Sequence, residues 1–234
     1  MKLTPQQIDH LCQFTRQHYV EWYDLQTELV DHLANAIEQQ WQENPKISFE
    51  EALQKEFKKF GVFGFMTVVE ERQSALGKKY NKLVWQHFKD FFTIPKLAIT
   101  LFSIVLLFLV FRNYSQAEIL ITSLFMLVLI TFWFSLFYQS RKNKKAHKKT
   151  GKKWLFKDII FGHSSFAGLS YIPVQVMLHV DFTENIGILK ATFFSILFVS
   201  MALFEYIILV IIPSKAEDYL KETYPEYKLE NASI

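Results

Sequence analysis

"AEILITSLFMLVLITFWFSLFYQSRKNKKAHKKTGKKWLFK" (Ala117–Lys157) places two solvents side by side. From Ala117 to Tyr138 the only charge is Glu118, and a run of this length matches the ~20 apolar residues that cross a bilayer core. In hydrocarbon every backbone N–H and C=O must pair within the segment, so the run is predicted to be a helix. The second half carries nine Lys and Arg residues between Arg141 and Lys157. Positive charge of this density stays on the cytoplasmic side, so the loop orients the whole chain.

Working outward, three more segments are predicted to cross. Ile94–Phe111 is apolar apart from Lys96, and Ile188–Ile212 is apolar apart from Lys190 and Glu205. Asp158–Leu178 is the weakest by hydropathy, with His163, Ser164, Ser165, Ser170 and Gln175 and a predicted kink at Pro173. The charge pattern argues for it nonetheless. The connections "RNYSQ" and "HVDFTENIG" hold a single basic residue, Arg112, so they face out while the Lys-rich loop faces in. That arrangement needs four crossings with both termini in the cytoplasm. Trp85, Phe88, Phe91 and Phe92 before the first span, and Trp154 and Phe156 before the third, suit either the headgroup level or packing on neighbouring helices.

The N-terminal part is different matter. Through Gly77 there are 7 Lys and Arg against 12 Asp and Glu, a balance of −5; the remainder carries 19 against 11, a balance of +8. An acidic head on a basic, phenylalanine-rich body points to two regions in different surroundings, and the lysines beside apolar runs do not fit a nucleic-acid binder. Cys12 is the only cysteine, which excludes an internal disulfide and a thiolate metal cluster. "MKLTPQQIDH" lacks the apolar core of a signal peptide, so the head is expected to stay in the cytoplasm.

Within the head, "TPQQ" reads as a capping box with Pro5 at the first helical position, followed by Ile8, Leu11, Cys12, Phe14 or Thr15, and Tyr19 at helical spacing. A second helix is predicted from near Asp24 to about Gln42, with Leu25, Leu29, Leu33, Ala36 and Ile37 on one side. "SFEE" is another capping box, and its helix is expected to stop at Gly61. A further helix from Gly64 onward carries Met66, Val69 and Leu76 toward the membrane. No alternating pattern of the β type is present.

The order "ELVDHLANAIEQQ", a short gap with Pro45, then "SFEEALQKEFKKFG" resembles the HAAS-type helical domain, also found as a permease-prefix domain. The shared features are an acidic helix of the form E-L-x-x-H-L, a turn, and S-x-x-E-A-L before a glycine, over roughly residues 5 to 75. The resemblance implies a bacterial inner-membrane protein with this domain on the cytoplasmic face ahead of several spans. It also implies an association with signalling and with PadR-type transcription regulators as partners. The Phe-rich "GVFGFMTVV" after the glycine departs from the more polar stretch expected there.

Three groups of residues are candidate sites. Glu28, Asp31 and His32 share one helical face, but a bundle metal site wants Glu-x-x-His from paired helices and here the spacing is four without a second copy. They read as a fold signature or a partner-docking surface. His163 and Glu205 are predicted at matching depth in the third and fourth spans, where an ionisable side chain costs about 2.5–3.5 kcal/mol and gains from pairing. Snorkelling of each, or a protonated Glu205, is the open alternative. Gly162, Ser164 and Gly168 offer small side chains for close helix packing.

The expected fold is all-α: a cytoplasmic helical domain (1–77), a juxtamembrane helix or linker (78–93), a four-helix transmembrane bundle (94–212) and a cytoplasmic tail (213–234). No phosphate-cradling loop, nucleophile elbow or His-Glu-x-x-His helix is present, so no catalytic, cofactor or metal residues are assigned. The favoured reading is a non-enzymatic regulatory or signalling protein whose head docks a protein partner, in contact with the lipid bilayer and open to homo-oligomerisation. The alternatives are a small transporter-like protein with a polar cavity near His163 and Glu205, or an intramembrane enzyme.

Overall fold

The computed structural model of the protein describes residues 2–162, 171–179 and 186–227. The elements are helical, with no strand among the described residues. The chain divides into two compact units: residues 1–77 with 146–158, and residues 78–145 with 159–234.

The first unit is built on three short helices and the start of a fourth. Helix α1 (Pro5–Gln17) opens with the reciprocal capping box: Thr4 Oγ1 accepts from the Gln7 N–H at 3.3 Å and Gln7 Oε1 accepts from the Thr4 N–H at 2.8 Å. Its core face is Leu11, Phe14 and Thr15. Tyr19, expected on that face, adopts φ +66° in the turn after the helix and is 75% exposed; Val20 takes the buried place. Helix α2 (Tyr23–Glu43) buries Leu25, Leu29, Leu33 and Ile37 in a row, with Val30 and Trp41 beside them. Each such side chain contributes about 1.5–3 kcal/mol on leaving water. Helix α3 (Phe49–Lys58) is capped by Ser48 Oγ, which accepts from the Glu51 N–H at 3.2 Å. Its Glu56 is buried, and the carboxylate takes the Lys59 ammonium at 2.6 Å together with the Gln40 amide.

Between α3 and α4 (Met66–Asp90) the chain reverses through two glycines in the left-handed region, Gly61 at φ +75° and Gly64 at φ +53°. Gly64 backs onto the ring of Phe57, which meets Phe14 at 5.1 Å, Phe65 at 5.0 Å and His18 at 4.3 Å between centroids. This aromatic knot is the floor of the head.

In the second unit, three helices among the described residues are long and apolar enough to cross a membrane: Lys96–Asn113, Ala117–Lys148 and Ile188–Ser214. Helix α5 (Lys96–Asn113) ends where α6 (Ala117–Thr150) and α9 (Ile188–Tyr206) begin, and Phe111, Ala117, Ile121, Phe125, Ala191 and Phe194 close one apolar cluster there. Near their other ends α6 and α9 meet again, through Thr131 and Glu205 (2.6 Å) and through Gln139 and the Leu209 carbonyl (3.1 Å). Helices α6 and α9 therefore run parallel, with residues 151–187 between them in sequence. The predicted third span falls in that stretch. Helices α7 (Leu155–Gly162) and α8 (Tyr171–His179) are helical parts of it, and residues 163–170 lie outside the described residues. The Lys-rich loop is itself helical as far as Thr150, because α6 continues for 34 residues.

After Tyr206 the last long helix loosens into a π-turn (Ile207–Ile211) before α10 (Ile212–Ser214). Pro213 has no N–H to offer the carbonyl four residues back, that of Leu209. The Gln139 side-chain amide donates to that carbonyl instead. Helix α11 (Ala216–Thr223) then lies along α4, where Lys79 donates to Thr223 Oγ1 at 2.9 Å and His87 Nε2 meets the Tyr219 hydroxyl at 2.7 Å. Burial holds His87 below the usual histidine range, and the Lys215 charge acts in the same direction against the pull of Asp90.

Gly64→Ala is expected to cost the head about 2–3 kcal/mol, from the left-handed backbone and from a Cβ placed 2.9 Å from the Phe57 ring. Gly61→Ala, with open space around its Cβ, is expected to cost about 1–2 kcal/mol. Urea midpoints of the two variants, followed by near-ultraviolet circular dichroism, give the comparison.

Candidate functional site

Glu28, Asp31 and His32 lie on the exposed side of α2. Glu28 pairs with Arg72 of α4 at 3.6 Å, and the His32 ring sits edge-on to Phe60 at 5.9 Å. They join the neighbouring parts of the head to α2 while leaving Asp31 to solvent. Among the described residues no three His, Cys, Asp or Glu side chains are grouped to hold a metal ion. Of the membrane candidates, Gly162 ends α7 with open space where a Cβ would stand. His163, Ser164 and Gly168 lie outside the described residues, and so does the His163–Glu205 pairing. Glu205 itself is half-buried on α9, with one carboxylate oxygen 2.6 Å from the Thr131 hydroxyl.

The densest polar cluster is one that the spacing of charges did not reveal. Trp22, at the start of α2, makes no side-chain cap. The first N–H of the helix, that of Tyr23, instead donates to the Lys153 carbonyl at 2.7 Å. The favour is returned: the Leu155 N–H, the first of α7, donates to Asp24 Oδ1 at 3.1 Å. Two helix starts more than 130 residues apart thus satisfy each other's unpaired donors. Asp24, expected near the start of α2, caps α7.

Around this joint the Asp158 carboxylate collects three donors. His147 Nε2 stands 2.8 Å from Oδ1, Trp22 Nε1 donates to Oδ2 at 3.0 Å, and the Lys153 ammonium is 3.3 Å from Oδ2. The other ring nitrogen of His147 faces the Lys152 carbonyl at 3.1 Å. Both ring nitrogens are thus engaged by neighbouring oxygens. Lys153 also reaches Glu21 at 2.7 Å. Burial presses the Lys153 pKa down, but the Glu21 hydrogen bond and the Asp158 charge outweigh it, so the net direction is upward. The aromatic residues complete the seam: the Lys152 ammonium lies over Tyr23 at 4.1 Å, and Tyr23 meets Trp154 edge-on at 5.3 Å. Trp154 and Phe156 are therefore packing residues of the first unit, being 4% and 0% exposed. The sequence clue was the missing cap at Trp22 beside an apolar Trp-Leu-Phe run with Asp158 one turn on.

A second feature is apolar. The turn between the two left-handed glycines lifts Val62 (98% exposed) and Phe63 (76% exposed) clear of the head, with Met66 at their side. Glu70 follows one helical turn after Met66 and is exposed, as are Glu28 and Asp31 across the Arg72 pair. This knuckle is the "GVFGF" departure from the resembled pattern.

Asp158→Asn removes the charge that faces Lys153 and the acceptor that His147 meets. Hydrogen bonds to charged groups contribute about 1.5–3 kcal/mol each, so tryptic cleavage after Lys152 and Lys153 is expected to accelerate about tenfold or more. Glu21→Gln, on the exposed edge, is expected to change it less than threefold, about the scale of a surface pair.

Comparison of the chain with protein-family models, with curated proteins and with solved structures returns no match.

Proposed function

We propose that the protein is a membrane-integral regulatory module: the head docks a soluble protein partner, and the bundle anchors it with head and tail on the cytoplasmic side. The observation that carries this reading is the Val62–Phe63 knuckle. Two large apolar side chains are held outward, beside Met66, by a turn built from two left-handed glycines, on a head whose helices α1, α2 and α3 bury Leu11, Leu25, Leu29, Leu33, Ile37 and Leu53. Exposed apolar groups ringed by polar residues are a usual mark of a protein contact. Exposed Glu70, one helical turn after Met66, and the acidic balance of the head suit a partner face that is apolar with basic residues beside it. A PadR-type regulator, implied by the HAAS-like resemblance, is the partner class to try first.

Four crossings remain the proposed topology, and three contacts support it. Trp22 and Glu21 of the head touch Asp158 and Lys153, which supports a shared compartment for the head and the Lys-rich segment. The tail helix α11 touches α4 before the first span, through Lys79 and His87. The parallel course of α6 and α9 fits a return across the bilayer between them.

A photo-crosslinking side chain at Phe63 of the full-length protein in its native membrane is expected to give one discrete adduct with a soluble protein. Phe63→Asp, tested with the crosslinker moved to Val62, is expected to abolish that adduct. An adduct with lipid alone, or equal adducts from a crosslinker at Gln13 on the exposed side of α1, refutes the docking surface. The topology is checked separately: alkaline phosphatase fused after Tyr227 is expected to be inactive, and activity there overturns the even count.

A further inference from the structure

The space between α6, α8 and α9 holds a cavity of about 90 Å³ whose wall is apolar except at Ser200 and Glu205. Phe132, Pro173, Met201 and Phe204 line it, and Glu205 supplies the carboxylate. We propose that this cavity is a binding site for the head of a small organic cation, a quaternary or protonated amine, with Glu205 as its counterion.

The chemistry of the lining makes the choice. A carboxylate within the apolar part of a membrane helix costs about 2.5–3.5 kcal/mol, and such residues face an interior site or a partner charge. Among the described residues Glu205 meets a neutral hydroxyl, that of Thr131, on one oxygen. That hydroxyl also lies 2.8 Å from the Leu127 carbonyl and 3.1 Å from the Val128 carbonyl, so its single proton is contested. Among the described residues the carboxylate therefore meets no cationic side chain. Two aromatic rings flank the same space, and aromatic faces attract ammonium groups, most strongly where water is excluded. The Phe204 ring is held in place from behind, stacked on Phe88 at 4.2 Å and 11° and edge-on to Trp85 at 5.3 Å. Size agrees as well. A cavity of about 150 Å³ takes benzene, so this one suits a group of about five heavy atoms, the size of a trimethylammonium head. The π-turn that starts directly after Tyr206 is a helix irregularity of the kind that accompanies functional sites.

The inference stands apart from the docking role of the head and is tested without any partner. The full-length protein in maltoside detergent is titrated calorimetrically with benzyltrimethylammonium and with neopentylbenzene, its neutral isostere. The cation is expected to bind about tenfold or more tighter than the isostere, and Glu205→Gln is expected to erase that preference while leaving the isostere unchanged. Phe132→Leu is expected to weaken the cation about threefold or more. A second measurement uses the unaltered protein: labelling of Glu205 by a hydrophobic carbodiimide, read by mass spectrometry, is expected to be slowed by the cation and not by the isostere. Equal affinity for the two ligands, undetectable cation binding, or labelling that ignores the cation overturns the proposal.

Discussion

One carboxylate, that of Asp158, takes a hydrogen bond from an indole, contacts an imidazole and an ammonium, and sits four residues into a helix whose own first N–H is capped by Asp24. The arrangement resolves two problems together. Helix α2 begins at a residue that cannot cap it, and the short helix α7 has too few turns to persist by its own propensity. Each supplies what the other lacks, so segments far apart in sequence fold as one body. Lys153 and Asp158 also pair within a partly buried space beside His147, where an ion left alone is strongly unfavourable. The joint is consequently cooperative: loss of one member leaves the others exposed to that same penalty.

In the bundle the governing constraint is different. Apolar side chains gain nothing from meeting each other in lipid, so helix order there depends on shape and on the few polar groups. The aromatic cluster at the α5–α6 turn fixes one end. Thr131 with Glu205 and Gln139 with the Leu209 carbonyl fix the other. These are sparse contacts, but each is on a different pair of turns, which is enough to set α6 and α9 in parallel register.

Much of the local architecture was legible in the residues. Thr4, Gln7, Ser48 and Glu51 announce two helix starts, and the Leu25–Leu29–Leu33–Ile37 row announces a buried face, because both signals are short-range and chemically specific. Three apolar helices are likewise visible from length and hydropathy alone. The Asp158 joint was not, since its partners lie more than 130 residues apart and each has an ordinary local reading. Trp154 could equally have been a headgroup anchor, and the lysines of residues 141–157 read first as an orientation signal. Tyr19 was misplaced for a related reason: periodicity says which residues share a face, but not where a left-handed turn ends the helix.

Gln139 carries one more implication. Its amide occupies the vacancy that Pro213 creates at the Leu209 carbonyl, a position seventy residues away on another helix. The imino acid and the amide are thus a matched pair in inheritance. A descendant that replaced Pro213 with a residue bearing its own N–H would release position 139 from its duty, and apolar side chains could settle there. A descendant that lost the amide first would carry an orphaned oxygen in hydrocarbon, so the order in which the two positions drift is constrained.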